Sequence, residues 1–206
     1  MENGKLKMEN EALPTAKSCT TILNLPTAYA PNVEYISVIA RSESFSIDIS
    51  ELYVRQTLRN RCEILTSQGV QKLSIPIDKK STRSGTIKDT KIDYAENWQR
   101  QHWRSLLASY SNSPYFLYYQ NELSVFYEKR YDFLVDFNAE ILNFILKKMG
   151  CEVSSKQTTH FVPRTPHHFP KYQQVFNSEK FVENLSSFDL LFNCGPESKN
   201  YFTSKI

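Results

Sequence analysis

The sequence predicts an α+β fold, with a β-rich N-terminal half that contains a hairpin and a mostly helical C-terminal half; an α/β arrangement is the alternative. Two observations support this class. Apolar and polar residues alternate along Ser44–Ser50, and two further apolar runs flank Gly69, as in a β-hairpin. From Asn97 onward the apolar period lengthens to about 3.6 residues, which is typical of amphipathic helices.

The first predicted elements are a short strand, a proline-rich turn and a helix. Residues 1–18 are rich in Glu, Asn and Lys, so we expect a disordered leader, followed by a single domain over residues 19–206. Thr20–Leu25 is an apolar run that predicts a strand. Helical spacing over Asn32–Arg41 predicts a helix that has Pro31 in its first turn.

The central part of the N-terminal half predicts β-structure. Ser44–Ser50 reads as a half-buried strand because its apolar residues share one face. Arg61–Thr66 and Val70–Ile77 predict the two strands of the hairpin, in which Gly69 supplies a positive φ. A weaker alternation over Thr86–Asp93 predicts another strand.

The C-terminal half predicts helices separated by helix-breaking residues. Pro114 ends the first of them, Gly150 follows the longest, and Gly195 with Pro196 is expected to stop the last. A strand is expected over Cys151–Thr159 and an ordered loop over Phe161–Pro170. The predicted helices are Asn97–Ser113, Tyr115–Tyr127, Tyr131–Met149 and Asn184–Asn193.

Composition and motifs exclude several classes of function. The four cysteines lie far apart without metal-ligand spacing, and His167 and His168 are adjacent, which suits one ion poorly, so we expect neither a metal nor another cofactor. Walker A, GxGxxG, GxSxG and HExxH motifs are missing. No signal peptide or run of about 20 apolar residues is present, so we expect a cytoplasmic protein without a membrane span.

The positive charge is concentrated in one part of the chain. The net charge is +3, but the stretch Glu51–Lys91 holds nine basic and four acidic residues, a local charge of +5. The overall charge is too small to argue for nucleic acid, so we expect no nucleic-acid partner. A solvated sheet edge, whose lysines prevent association between sheets, is the alternative explanation of this stretch.

The segment Glu51–Arg61, with the sequence ELYVRQTLRNR, carries the main functional hypothesis. It connects the Ser44–Ser50 strand to the hairpin and holds several arginines at close spacing. Guanidinium groups bind carboxylates and phosphates through paired hydrogen bonds, so we expect this turn to bind an anionic small molecule. The proposed substrate-binding residues of the segment are Tyr53, Arg55, Arg59, Asn60 and Arg61.

His102 is the proposed proton-transfer residue. It lies in the helical sequence WQRQHWR, from which an imidazole can point into a cleft. The alternative is a histidine that is hydrogen-bonded in the core. We expect Asp48 and Glu51 to complete the catalytic set, and Tyr29 and Asn32, from the proline-rich turn, to contribute to substrate binding.

Several segments together resemble the WbqC-like family of bacterial proteins. The resemblance runs from about Ile22 to Phe202 and rests on TAYAPNVEYISVIA, on ELYVRQTLRNRCEI followed by GVQKLSIPI, on WQRQHW and SPYF, and on YQQVFNSEKFVENLSSFDLLFNCGP. It implies that residues 19–206 form one WbqC-like domain. It also implies a role in the biosynthesis of surface polysaccharide of the O-antigen type, in which aminoacyl or glycyl transfer to sugars has been suggested for the family.

Three functions follow as hypotheses. The first is a transferase that binds an anionic activated donor or a nucleotide-linked sugar through the Arg-rich turn. The second is a non-enzymatic scaffold or partner of a glycan-assembly enzyme, which would have an exposed aromatic patch around Tyr115–Tyr119. Nucleic-acid binding is the third, and it would show a steep salt dependence.

Overall fold

The protein is an α+β fold in which a small parallel sheet and a separate hairpin pack against helices. A computed structural model describes residues 23–83, 85–151, 154–155, 171–176 and 180–203. Strands β1 (Leu23–Pro26), β2 (Ser44–Asp48) and β5 (Ser154–Ser155) pair in parallel in the order β1-β2-β5. The predicted fold class is therefore confirmed, and the parallel sheet lies within the N-terminal β-rich half except for its last strand.

Helix α1 (Val33–Ala40) connects β1 to β2 and begins at a side-chain cap. The Oδ1 atom of Asn32 accepts a hydrogen bond from the Tyr35 amide at 3.1 Å, which satisfies one of the free amides of the first turn. The helix was predicted in this place, but Pro31 lies before the cap rather than in the first turn. The helix begins after Asn32 because its side chain can accept the amide hydrogen bond of the first turn, whereas a proline side chain has no acceptor atom.

The hairpin has the predicted strands and turn. Strands β3 (Arg61–Thr66) and β4 (Gly69–Ser74) are antiparallel, with Arg61 opposite Ser74 and Thr66 opposite Gly69. Gly69 has a φ of 104°, a backbone angle that residues with a side chain rarely adopt. The second strand ends before Pro76, which has no amide hydrogen to donate to the ladder.

The strand predicted over Thr86–Asp93 is wrong. Residues Ile87–Asp89 form a 3₁₀ helix, and isolated bridges lie on either side of it. The hydroxyl of Thr86 donates to Asp89 at 2.9 Å, and the Ile87 amide donates to the Glu51 carbonyl at 2.7 Å. The Thr86 contact is local, but the Glu51 carbonyl belongs to a distant segment, and a two-residue alternation reveals neither contact.

The helices of the C-terminal half lie close to their predicted positions. Gly150 follows the longest helix with a φ of 68°, and Gly195 adopts a φ of 56° at the end of another. The α-helix ends before Gly195 as predicted, but the chain continues directly into a 3₁₀ helix over Gly195–Lys199. The helices are α2 (Trp98–Tyr110), α3 (Phe116–Glu128), α4 (Leu134–Lys148), α5 (Ser187–Cys194) and α6 (Asn200–Thr203).

The core between the helices and the two β-units is rich in aromatic rings. Trp98 and Tyr131 each pack edge-on against Phe137, with ring centroids 5.4 and 5.1 Å apart. Phe188 and Phe192 of α5 stack on each other and extend the core toward α2. Within the described ranges, no helix is long and apolar enough to cross a bilayer.

Some predictions fall outside the described residues. These are the leader over residues 1–18, the beginning of the Thr20–Leu25 strand and the Phe161–Pro170 loop. The strand predicted over Cys151–Thr159 is described only at Ser154–Ser155, where β5 pairs with β2.

Candidate functional site

The Arg-rich segment forms a turn between β2 and β3 that is fixed to the rest of the fold by backbone contacts. The Tyr29 amide donates to the Leu58 carbonyl at 2.8 Å, and the Ile75 amide donates to the Asn60 carbonyl at 2.8 Å. The buried side chain of Asn60 donates back to the Ile75 carbonyl at 2.9 Å. The turn therefore has a defined position between the proline-rich turn and the hairpin.

Arg59 stabilises this turn from within. Its Nε donates to Oε1 of Glu51 at 2.8 Å, its Nη2 contacts Oε2 of Glu51, and its Nη1 donates to Thr57 at 3.2 Å. The Arg59 and Glu51 side chains are 14% and 23% exposed. The donors of this guanidinium thus hold a carboxylate of the same turn.

A first cleft, with a volume of about 320 Å³, lies between the turn and the loop after β4. Arg55, Arg61 and Lys79 line it, and no carboxylate of the described residues does. We call this the cationic cleft. The remaining residues that line it include Tyr53, Gln56, Asn60 and Thr82.

Polar atoms beside the cationic cleft lack partners. Among the described residues, Oδ1 of Asn60 and Nε of Arg61 are buried without a hydrogen bond. Trp98, Asn138 and Ser187 carry similar unpaired atoms elsewhere in the described fold, so what distinguishes the atoms of Asn60 and Arg61 is that their residues line this cleft. Burial raises the pKa of Tyr53, and the arginines, with Arg61 the foremost, oppose this by favouring the phenolate.

A second cleft, with a volume of about 540 Å³, lies on the other side of Arg61. Glu34, Glu63 and Glu183 line it together with Arg61 and Lys72, so acidic groups predominate. We call this the acidic cleft. Gln56 and Arg61 line both clefts and so form a shared wall; Asn32, Cys62, Asn184 and Ser186 also line the acidic one.

Backbone strain is concentrated around the acidic cleft. In the part of the chain that the structure describes, the non-glycine residues with positive φ are Ala30 (38°), Gln56 (60°) and Asn184 (57°). Each of them lines this cleft. The hydroxyl of Ser186 donates to the Ala30 carbonyl at 2.9 Å and thereby holds one of them. Strained backbone of this kind tends to occur at functional sites.

His102 lies in the interior behind the acidic cleft. Its Nδ1 is 3.0 Å from the hydroxyl of Tyr29, which is in turn 2.9 Å from the hydroxyl of Tyr127. Burial disfavours the charged imidazole and lowers the pKa of His102 to about 4, although a contact with the Ser74 carbonyl opposes this shift. His102 is therefore neutral at physiological pH, and neither His102 nor Tyr29 lines a described cleft.

Cys62 connects this interior cluster to the acidic cleft. Cys62 is buried, and burial raises the pKa of its thiol against the opposing effect of the neighbouring Tyr29 and Ser186, so the thiol remains protonated. Cys62 and Ala30 line the acidic cleft in front of this cluster. The His102 cluster thus supports the wall of the acidic cleft from behind.

Asp48 lies apart from both clefts, at the end of β2. Its Oδ1 accepts hydrogen bonds from the amide and hydroxyl of Ser50 at 2.8 and 2.6 Å, and these bonds lower the pKa of its carboxyl. Asp48 lines neither cleft and closes a local turn.

The structure brings together some of the expected site residues and separates others. Tyr53, Arg55, Asn60 and Arg61 share the cationic cleft, and Asn32 lies in the acidic cleft. Arg59 and Glu51 bind each other, and Tyr29 with His102 lies in the interior. Among the described residues, no group of three potential metal ligands occurs.

Sequence reasoning missed several residues of the clefts. Lys79 was counted among the basic residues but not assigned to the site, although a positive residue after a strand of the hairpin could have indicated it. Glu183 and Asn184 lie far along the chain from the Arg-rich turn, and no spacing connects them to it.

A family comparison adds to this geometry. Residues 27–167 and 160–201 match the WbqC-like protein family, and together these ranges contain both clefts and the Arg-rich turn. The chain belongs to the WbqC-like protein family. Membership in the WbqC-like family thus confirms the predicted resemblance and covers most of the chain.

A relative of this WbqC-like chain occurs in mycobacteria. The uncharacterized protein Rv1507c of Mycobacterium tuberculosis is 32% identical over 123 residues, which is 59% of this chain and 53% of the relative. The match thus spans about half the length of that protein. No solved structure matches the chain.

Proposed function

We propose that this WbqC-like protein is a transferase that binds an anionic activated donor, such as a nucleotide-linked sugar, and joins its activated group to a second substrate. The observation that carries the proposal is the pair of clefts that meet at Gln56 and Arg61. A transfer reaction needs two adjacent binding sites, and their opposite charge provides for two different substrates.

The cationic cleft is the proposed donor site. Arg55, Arg61 and Lys79 provide three positive groups without an acidic neighbour in the cleft, which suits a phosphate or diphosphate. The phenol of Tyr53 and the amide of Asn60 offer further polar contacts to the rest of the donor. Within the Arg-rich segment, Arg55 and Arg61 are the proposed anion-binding residues. Arg59 supports the turn that carries them through its ion pair with Glu51.

The acidic cleft is the proposed acceptor site. An amine or hydroxyl of the acceptor would attack the activated carbon of the donor, forming the new bond as the bond to the phosphate oxygen breaks. Arg61 at the shared wall would stabilise the negative charge that develops on the leaving phosphate. Glu63 and Glu183 are the carboxylates available to accept the proton that the attacking group releases.

The interior residues have positioning roles in this proposal. His102 and Tyr127 hold Tyr29, which contacts Cys62 at the wall of the acidic cleft. Asn32 caps α1 and so fixes the opposite wall. The Glu51–Arg59 ion pair holds the shape of the turn. Asp48 stabilises the chain at the end of β2 by accepting hydrogen bonds from Ser50.

We propose the biosynthesis of surface polysaccharide of the O-antigen type as the biological context of this transfer, which is the role that the resemblance implies. A scaffold role within a glycan-assembly complex is the second candidate function. The observation that favours it is an exposed apolar patch on α3, where Leu117 and Tyr118 are 73% and 75% exposed. A scaffold would bind its partner enzyme through this patch without binding a nucleotide-linked sugar.

Calorimetric titration with a panel of nucleotide-linked sugars tests the proposed function. We expect a member of the panel to bind, and we expect Arg61→Ala to weaken its binding about tenfold or more, because a charge-assisted contact at the shared wall is lost. Arg100→Ala, at an exposed position of α2, is the matched control and should bind as the wild type does.

Two results would contradict the proposal. The first is the absence of binding across the panel together with capture of a glycan-assembly enzyme through the α3 patch, which favours the scaffold. The second is an Arg61→Ala protein that is folded by its thermal unfolding curve and binds the sugar nucleotide with unchanged affinity.

A further inference from the structure

Two aliphatic side chains project from the outer edge of the Arg-rich turn. Leu52 and Val54 are 70% and 49% exposed. Leu52 bridges to Thr86, and Tyr53, which lies between the two aliphatic residues in the sequence, lines the cationic cleft. The exposed aliphatic groups therefore adjoin the cleft.

Exposed basic residues lie in this turn and in the loop that leads to Thr86, the residue to which Leu52 bridges. Arg55 and Lys79 line the cationic cleft, and Lys80 and Arg83 follow in the neighbouring loop. None of these four takes part in an ion pair with a described residue. Asp78 in the same loop accepts a hydrogen bond from the Lys80 amide at 2.9 Å, and Lys79, Lys80 and Arg83 outnumber this carboxylate in the loop.

The combination of aliphatic and basic groups fits a membrane surface better than other large partners. Leu52 and Val54 have no aromatic face on which a nucleic-acid base could stack. This edge also lacks the aromatic residues that are enriched at protein interfaces, and lysine, which it carries, is depleted there. At a bilayer, by contrast, aliphatic groups enter the boundary with the acyl chains while basic groups contact anionic headgroups.

We propose that this edge, which comprises Leu52, Val54, Arg55 and the loop residues Lys79, Lys80 and Arg83, docks on the surface of an anionic lipid bilayer. The docking is peripheral, because it uses side chains of a turn and a loop and needs no spanning segment. It orients the mouth of the cationic cleft toward the headgroup region, since Arg55 and Lys79 belong to both surfaces. The inference stands independently of the transferase reaction.

Co-sedimentation with lipid vesicles tests this docking. The full chain is mixed with vesicles of phosphatidylcholine alone or of phosphatidylcholine with phosphatidylglycerol, and the bound fraction is measured at low and high salt. We expect binding to the anionic vesicles and not to the neutral ones, and we expect salt to release it because the basic groups act through a screened field.

Variants separate the aliphatic from the electrostatic part. Leu52→Ser with Val54→Ser should weaken binding about tenfold through the loss of apolar insertion. Lys80→Gln and Arg83→Gln should each weaken it about fivefold, in line with the contribution of a basic residue near an anionic surface. None of these four residues lines a described cleft, so titration with the nucleotide-linked sugar should remain unchanged.

Leu117→Ser on α3 is the matched control, since Leu117 is as exposed as Leu52 but lies in another element. It should sediment as the wild type does. The proposal is overturned if the wild type does not bind anionic vesicles, or if the Leu52→Ser, Val54→Ser double variant binds them as tightly as the wild type. Equal loss in Leu117→Ser would also overturn it, because the effect would then not belong to this edge.

Discussion

At the scale of single residues, Arg59 has a structural function in the turn. The sequence places it at the centre of an arginine cluster, but its guanidinium is held by Glu51 through two parallel contacts. Both side chains are mostly withdrawn from solvent, so the pair is screened less than one at the surface. The arginines available to a ligand are thus Arg55 and Arg61, which line the cationic cleft.

Removing one partner of this pair should destabilise the protein. We expect Arg59→Ala to reduce the free energy of unfolding by about 1–3 kcal/mol, because it leaves the Glu51 carboxylate partly buried without its partner. Lys72→Ala is the control, since the Lys72–Glu63 pair is 67% and 46% exposed and should contribute within about 0.5 kcal/mol. Urea unfolding of the two variants measures the difference, and similar losses in both would refute the assigned role.

His102 should make the stability of the protein depend on pH. Its pKa is lowered to about 4 in the fold, whereas an unfolded histidine has a pKa of about 6.5. Between these values the unfolded chain binds a proton that the folded chain does not, so stability decreases as the pH falls from about 6.5 to about 4. At pH 5 the loss from this residue is about 2 kcal/mol.

Urea unfolding at pH 7 and at pH 5 measures this effect. The wild type should lose more stability between the two than His102→Gln does, because glutamine keeps a polar contact with Tyr29 but does not titrate. The other histidines are present in both proteins and cancel in the comparison. An identical pH dependence of the two would mean that His102 does not remain neutral in the fold.

At the scale of elements, the Arg-rich turn depends on a strained residue at its tip. Gln56 has a φ of 60°, lies at the surface, and lines both clefts. A left-handed conformation costs a residue with a side chain about 1–2 kcal/mol, and glycine avoids that cost. The fixed hydrogen bonds of Leu58 and Asn60 on one side of Gln56, to Tyr29 and Ile75, hold the turn in this conformation.

Substitutions at Gln56 should separate stability from binding. Gln56→Gly should unfold at the same or a higher urea concentration, while the looser turn weakens the donor affinity. Gln56→Val should lose about 1–2 kcal/mol, because a β-branched side chain suits a positive φ poorly. Gln101→Val in α2, where φ is ordinary, is the control and should lose only about 0.5 kcal/mol. Equal losses for the two valine variants would mean that the turn is not strained.

At the scale of the whole molecule, local patterns predicted the elements, while contacts between distant segments formed the clefts. The hairpin was predictable because Gly69 and the flanking apolar runs encode it within a few residues. The 3₁₀ helix at Ile87–Asp89 was not, because it depends on the Glu51 carbonyl of another segment. Local periodicity does not contain such partners.

The clefts, too, were predictable only where the residues that line them lie close together in the sequence. Tyr53, Arg55, Asn60 and Arg61 lie close in sequence, so their shared cleft could be anticipated from the Arg-rich turn. The acidic cleft needs residues that precede α1 and α5, and the pairing of Asn32 with Ser186 brings these segments together. Nothing in the spacing of the two segments predicts that pairing.

The central claim is that the cationic cleft binds the anionic group of a donor. A crystal of the full chain soaked in tungstate, a phosphate analogue with a strong anomalous signal, tests it most directly. The account predicts an anomalous peak within hydrogen-bonding distance of Arg55 and Arg61, and loss of that peak in Arg61→Ala crystals. A cleft without a peak, while tungstate occupies other surfaces, would contradict it.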